Sequence, residues 1–365
     1  MLARAFVALG LSSAIATGQA SDLSWVGKRV EEWQPQPSER KLDQIGWAPD
    51  IRTGLALAKK HNRPLYLFML DGRLGQNRCG AGGCWAREDA LSNDTIISLL
   101  NSYYVPVYAD NADHAGNGAA PPEERQAFNR IYAAAANKGL NIGSVRIYLC
   151  APDGDPILII GGGAQKDIEC LKETVRKLGT REGKPVLPPQ AQNPVPKVDK
   201  DSLALHVTTR GLPLGAKKFW SNLPAEDWVV YDRKEWTKFL PPAGAAPGAT
   251  WDVDRDVAVK LLSRFYPPED ECLRYEYGRG RRIDYESASM KASLISKDRV
   301  RIDVSLKMKE CFDANRFGFS VAATAVGVVD IDASRKTIHR FVMATEKASC
   351  GDASIGVAVR SAVKP

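Results

Sequence analysis

From Ser287 to Met308 the chain alternates with a period of two. Ala288, Met290, Ala292 and Leu294 alternate with Ser287, Ser289, Lys291 and Ser293, and Val300, Ile302, Val304, Leu306 and Met308 alternate with Arg301, Asp303, Ser305 and Lys307. Successive side chains of a strand point to opposite faces, so each run buries one face and wets the other. A turn at Lys297-Asp298 joins the two runs and makes them an antiparallel hairpin. Phe319 to Ile331 and Ile338 to Thr345 add two strands around Ala333-Ser334-Arg335-Lys336. Upstream, Asp252 precedes a helix that puts Val253, Val257, Leu261 and Phe265 on one face and ends at Pro267-Pro268. The expected unit over 201–365 is an α+β domain: an antiparallel β-meander with the 252–266 helix on its apolar face.

The first half reads differently. Asp50 is the expected N-cap of a helix that carries Ile51, Leu55 and Ala58 and stops near Asn62, before Pro64. Leu65 to Leu70 is a wholly apolar strand. Ser92-Asn93-Asp94 caps a second helix, and Tyr104 to Ala109 is a second strand. Pro121-Pro122-Glu123-Glu124 opens a third helix running to about Asn137, with acidic residues where the helix dipole favours them. Val145 to Cys150, a turn at Pro152-Asp153-Gly154, and Ile157 to Ile160 form a hairpin. Ile168, Leu171, Val175 and Leu178 share one face of a last helix.

This succession predicts a mixed sheet covered by helices. Its particulars resemble the thioredoxin-like proteins over 47–180. Ala58-Lys59-Lys60-His61-Asn62-Arg63-Pro64-Leu65 resembles their entry into the first strand, Asn101-Ser102-Tyr103-Tyr104-Val105-Pro106-Val107 their second strand, and Pro152-Asp153-Gly154 their late hairpin turn. The fold class expected for the whole chain is an α/β thioredoxin-like domain followed by the α+β domain.

Cys79-Gly80-Ala81-Gly82-Gly83-Cys84 falls between the first strand and a helix expected from about Trp85, where the resemblance implies a redox pair. A helix N-terminus lowers a thiol pKa, and exchange needs an accessible thiolate beside a second sulfur. As an oxidoreductase, the chain would use Cys79 as attacking thiolate and Cys84 as resolving thiol on a protein disulfide substrate. Two departures weigh against that chemistry. The spacer holds four residues instead of two. The family places a cis-proline before the third strand, facing the cysteines, whereas this chain has Gly143-Ser144-Val145-Arg146. The preferred reading is therefore a non-catalytic binding or scaffolding module with a protein partner, in which Cys79 and Cys84 pin a glycine-rich loop.

The chain holds seven cysteines: Cys79, Cys84, Cys150, Cys170, Cys272, Cys311 and Cys350. An odd count leaves at least one outside intramolecular pairing. Cys170 points about 110° from its helix's apolar face, so a Cys150–Cys170 bridge needs that flank to touch the sheet. One pair among Cys272, Cys311 and Cys350 is a further option. His61, His114, His206 and His339 are scattered, with no partner at metal or triad spacing, and His339 is expected in solvent. No metal and no cofactor is expected. Gly161-Gly162-Gly163, between strand and helix, reads as a flexible turn in preference to an anion site, having no lysine-serine signature. Asp110, Asp113 and His114 crowd one loop, by default solvated, with a cation site as the alternative.

Arg4, the apolar run Ala5-Phe6-Val7-Ala8-Leu9-Gly10-Leu11 and the small residues Gly18-Gln19-Ala20 read residues 1–20 as a signal peptide, with export to a periplasmic or extracellular location. The formal charge of +7 becomes +6 once Arg4 is removed, since Arg4 is the only charge before Ser21. No basic run interleaves with aromatics, which excludes nucleic-acid binding as a reading, and no transmembrane helix is expected in the mature chain. Arg274, Arg279, Arg281 and Arg282 form the one local basic cluster, an exposed loop or a dock for an acidic polymer. Residues 21–46 are expected as a leader packed on the first domain, and 181–200 as an extended Pro-rich linker.

Overall fold

A computed structural model describes residues 22–79, 81–114, 116, 118–143, 145–161, 163–215, 219, 221–267, 282–313, 316–332, 334 and 336–362. The signal-peptide stretch, Cys272, and Arg274, Arg279 and Arg281 of the basic cluster lie outside the described residues. So do the side chains of Cys79, Cys311 and Arg282.

The chain enters through α1 (Ser24–Trp33) and a 3-10 segment over Pro37–Gln44. α2 (Ile51–His61) begins where the Asp50 carboxylate accepts the Thr53 N–H at 2.6 Å, and stops at Asn62, whose φ of 50° is left-handed. β1 (Leu65–Leu70) is apolar and buried at every position, as a strand covered on both faces must be. β2 (Gly72–Arg73) and β3 (Arg78–Cys79) pair across a 3-10 turn at Leu74–Gln76. α3 (Ala81–Asp89) follows, then α4 (Asp94–Tyr103), capped by the Asn93 side chain, which accepts the Thr95 and Ile96 N–H groups. β4 (Val105–Asp110), α5 (Asn111–His114), α6 (Pro122–Asn137), β5 (Arg146–Cys150), β6 (Pro156–Ile160) and α7 (Ala164–Leu178) complete the first domain.

Its four strands run in the order β4-β1-β5-β6, with β1 parallel to β4 and antiparallel to β5, and β5 antiparallel to β6. Alternation along β1 splits the core in two. Tyr66, Phe68 and Leu70 pack with Ile96 and Leu100 of α4 and Leu171 of α7. Leu65, Leu67 and Met69 pack with Ile51 and Ala58 of α2 and Phe128 and Ile131 of α6.

Residues 183–200 are not a free tether. The Gly183 N–H bonds Ser102, Arg63 bonds the Lys184 carbonyl at 3.0 Å, and Val186 and Leu187 pack on the second core. The Gln192 N–H reaches Asp43 at 2.8 Å. A side chain at Gly46 or Gly75 would strike the backbone of Leu187 or Gln192. The Pro-rich segment is a strap lying along the first domain.

The strap leads into β7 (Leu203–Gly211), β8 (Ala225–Tyr231), the short α8 (Arg233–Trp236), β9 (Thr250–Asp252) and α9 (Arg255–Leu262). Then come β10 (Arg282–Ser296), β11 (Arg299–Asp313), β12 (Arg316–Asp332), β13 (Thr337–Cys350) and β14 (Ala353–Ser361). All eight strands form one antiparallel sheet in the order β8-β7-β14-β13-β12-β11-β10-β9. The alternating run from Ala288 to Met308 lies in the β10–β11 hairpin as its pattern requires. Val257, Ala258, Leu261 and Leu262 of α9 pack on that apolar face. Val253 and Phe265 flank α9 and are also buried there, and Asp254, not Asp252, caps the helix.

The leader departs from expectation. Val26, Val30 and Trp33 of α1 pack on Val326, Val328, Val342, Ala344 and Ala358, which lie on the opposite face of the second-domain sheet. A face expected to be wet is thus covered, and α1 serves the second domain; the 3-10 segment after it places Leu42 and Ile45 in the first. Gly356 is what lets Trp33 approach, since a Cβ there would sit 3.0 Å from the indole. Trp33→Ala removes the largest α1 anchor, and urea unfolding is expected to show a loss of about 3–5 kcal/mol.

Candidate functional site

The cysteine turn begins where β1 leaves the sheet. Gly72, at φ 100°, turns the chain into the β2–β3 hairpin, in which Gly72 pairs with Cys79 and Arg73 with Arg78. Asn77 closes its turn in the left-handed region, at φ 52°. The next helix starts at Ala81, four residues earlier than the glycines suggested. Cys84 therefore lies inside α3 and not in a loop, 0% exposed among Leu42, Leu74 and Leu91. Its thiol points back at the Asn77 carbonyl, 3.8 Å away. A Cβ on Gly82 would lie 3.0 Å from Val145, so the first turn of α3 abuts the residue ahead of β5.

The second domain holds this hairpin firmly. Arg78, 3% exposed, donates to the Asp227 carboxylate at 2.6 and 2.9 Å. Its remaining donors meet the carbonyls of Tyr266 at 2.6 Å, Pro267 at 2.8 Å and Arg264 at 3.1 Å. Asn77 donates to the Leu223 carbonyl at 2.9 Å. Glu88 of α3 accepts the Asn222 backbone N–H at 2.8 Å. Arg87 donates to the Leu74 carbonyl at 2.9 Å and lies 3.9 Å from Glu226.

Glu226 gathers the other contacts. It is buried on β8, meets His206 of β7 at 2.9 Å, and pairs with Arg40 of the 3-10 segment. The other ring nitrogen of His206 meets Gln34 at 3.1 Å, and the imidazole lies tilted against Trp228 with centroids 4.6 Å apart. Four residues along β7, on the same face, Arg210 donates to Glu39 at 2.6 and 2.8 Å and to the carbonyls of Trp33 and Gln34. Sequence reading set His206 aside as scattered. The signal available was His206, Thr208 and Arg210 alternating with Leu205 and Val207, but that pattern also describes a wet face.

The remaining candidates are placed clearly. Cys150 is buried in the core on one face of the four-stranded sheet, whereas Cys170 packs against the core on the other face. The sheet itself separates them, and both are free thiols. Burial pushes both thiols up. The N-terminus of α7 is not open to an anion, because Asp89 accepts the Ala164 N–H at 2.8 Å. His339 is exposed on β13. Among the described residues no three His, Cys, Asp or Glu side chains gather to hold a metal, and no helix is long and apolar enough to cross a membrane.

Asp110, Asp113 and His114 lie at the end of β4 beside a cavity of about 480 Å3, walled by the 72–76 turn, Trp47-Ala48-Pro49 and the strap. They are not a plain solvated loop: Asp110 is buried and accepts the Gly72 N–H at 3.1 Å, and Asp113 pairs with Arg73 at 3.2 Å. Burial raises the Asp43 carboxyl, against the Gln192 N–H and nearby Arg40 and Arg87 that favour its charge. Burial likewise raises the Tyr108 phenol.

No protein-family model matches the chain, and no curated protein matches it.

Arg78→Ala leaves Asp227 buried without its cation and is expected to cost about 3–5 kcal/mol in denaturant unfolding. An Arg78→Met, Asp227→Leu double variant is expected to recover part of that loss, because it removes both charges together but leaves the three carbonyls without their donor.

Proposed function

We propose that this chain is an exported, non-catalytic binding module of the cell envelope, built on a thioredoxin-like domain whose cysteine turn docks the second domain. The observation that carries the reading is the hairpin leading into Cys79, bolted by Arg78 to Asp227 and three carbonyls of the second domain. Arg78, the residue before Cys79, commits its donors to the second domain, which makes the turn a docking element. The thioredoxin-like part of the reading draws on the mixed four-stranded sheet between helices and on a cysteine leading into the helix after β1. Export draws on the pattern of residues 1–20.

One observation favours a second reading, a thiol–disulfide oxidoreductase using Cys79 and Cys84. Cys79 lies two residues before the start of α3, whose first turn meets Val145 ahead of β5, the juxtaposition such an enzyme uses.

Insulin reduction by the full chain, with Cys79→Ser as control, separates the two. The binding module is expected to show no turnover. Thiol titration of the native protein is expected to leave Cys84 and Cys150 unmodified until denaturant is added, since both are fully buried. Turnover that vanishes in Cys79→Ser would establish the enzyme.

A further inference from the structure

The outermost strands of the two large sheets are β4 and β6 in the first domain and β8 and β9 in the second. β4 carries a parallel bridge from Ala48 to Val107, with the Ala48 N–H on the Pro106 carbonyl at 2.7 Å. β8 is clasped by the cysteine hairpin and α3. β9 is itself a short cover, laid along Lys291, Ala292 and Ser293 of β10. β6 differs: it pairs with β5 and, among the described residues, with nothing on its outer side.

Its sequence is that of an inner strand. Ile157, Leu158, Ile159 and Ile160 are consecutive apolar residues, as in a strand covered on both faces, yet the first three are only half-buried. Edge strands are ordinarily blunted by charge, proline or a bulge. Those devices sit only at the start of β6. Pro156 has no N–H, Lys138 donates to its carbonyl at 2.9 Å, and the pairing register skips Ile157. A groove of about 300 Å3 follows the rest. Leu158 and Ile160 pack toward the α4–α7 core and Ile159 toward the α2–α6 core, yet all three line the groove, so it straddles the outer edge of the strand.

Two cations border the groove. Lys166, on the first turn of α7, is exposed, and Arg146, at the start of β5, donates to the Val145 carbonyl at 2.8 Å. Neither meets a carboxylate among the described residues. Asp167, the acidic residue of the wall, is only 2% exposed. A free strand edge, apolar side chains on both of its faces and a cationic rim suit an extended, acidic stretch of polypeptide. Main-chain bonds to an edge strand supply the affinity of such a segment and its side chains the selectivity. A second copy of this chain fits worse: two-fold pairing of β6 with β6 sets Arg146 and Lys166 against the same cations of the other copy.

We propose that the outer edge of β6 docks an extended, acidic segment of a protein partner, which adds a strand to the first-domain sheet and sets its carboxylates against Arg146 and Lys166. The proposal rests on the reading of the chain as a binding module and names the surface and the partner chemistry of that module.

Fluorescence anisotropy of the full chain tests it with the fluorescein-labelled peptide EDVTVTVDE, beside the cationic KKVTVTVKK and the interrupted EDVTPTVDE, whose proline removes a main-chain donor and keeps the charge. Saturable binding of the first is expected, with each of the others weaker by about tenfold or more. Lys166→Glu, and Ile159→Lys, which puts a charge on the edge, are each expected to weaken the first peptide by about tenfold or more. Thermal unfolding checks that each variant remains folded; if Ile159→Lys does not fold, Lys166→Glu, at an exposed site, decides alone. Absence of saturable binding at millimolar concentration, equal binding of the acidic peptide and either comparator, or binding indifferent to Lys166→Glu overturns the proposal. So does a dimer in sedimentation velocity that Ile159→Lys dissolves, because a second copy then holds the edge. Absent peptide binding with a silent insulin assay removes the docking site and leaves the module reading standing. Cys79-dependent insulin reduction removes the module reading whatever the peptides do.

Discussion

Two adjacent carboxylates on an edge strand organise this molecule. Glu226 and Asp227 point to opposite faces of β8, because successive strand side chains must. Glu226 faces the first domain and collects His206, Arg40 and, more distantly, Arg87. Asp227 faces the α9 side and takes Arg78, which also binds the carbonyls that follow α9. The β2–β3 hairpin on one face and Arg40 and α3 on the other therefore grip β8, the outermost strand of an eight-stranded sheet. An exposed sheet edge invites pairing with other chains, and covering it is one of the ways folded proteins manage that hazard. Buried ion pairs add little net stability over apolar contacts, but an unmatched one is costly. Their effect here is to admit one docking geometry and penalise the rest.

That geometry decides what the cysteine turn can do. The same residues that lead into Cys79 supply the grip: Asn77 and Arg78 precede it, and Arg87 and Glu88 follow on α3. Lifting the turn from the second domain would break the Arg78–Asp227 pair, three bonds from Arg78 to carbonyls and the Asn77 contact at once. The described geometry is the docked one, with Cys84 in the core.

How far the sequence spoke depended on whether each element answered to its own residues or to distant ones. Leu65–Leu70, the caps at Asp50 and Asn93, and the alternating run of β10 and β11 carry their instructions locally, and each was legible. β7 was not, because His206, Thr208 and Arg210 look like a solvent face and are buried only once the first domain and the leader cover them. α3 was read too short because Gly82 and Gly83 disfavour helix, a preference that packing against Val145 and the first core overrides. Val26, Val30 and Trp33 do mark a helical face, but nothing local says which sheet that face meets. Most of the candidate site was illegible for the same reason. Glu226 and Asp227 stand about 140–150 residues beyond Arg78 and Arg87, and no spacing rule links them.

The strap joins these constraints to the cavity. A tether between domains needs only length, and a floppy one would leave Gln192 and Asn193 averaged over many positions. Here Gly46 and Gly75 let the strap backbone lie against the first domain, Asp43 anchors Gln192, and Trp228 of β8 reaches Asn193. One side of the cavity is thus set by the first domain and the other by a segment pinned to both domains. Loosening β8 would release Trp228 from the strap together with Arg78 from Asp227. Domain docking and cavity shape are consequently coupled through β8, which holds Arg78 and the strap at once.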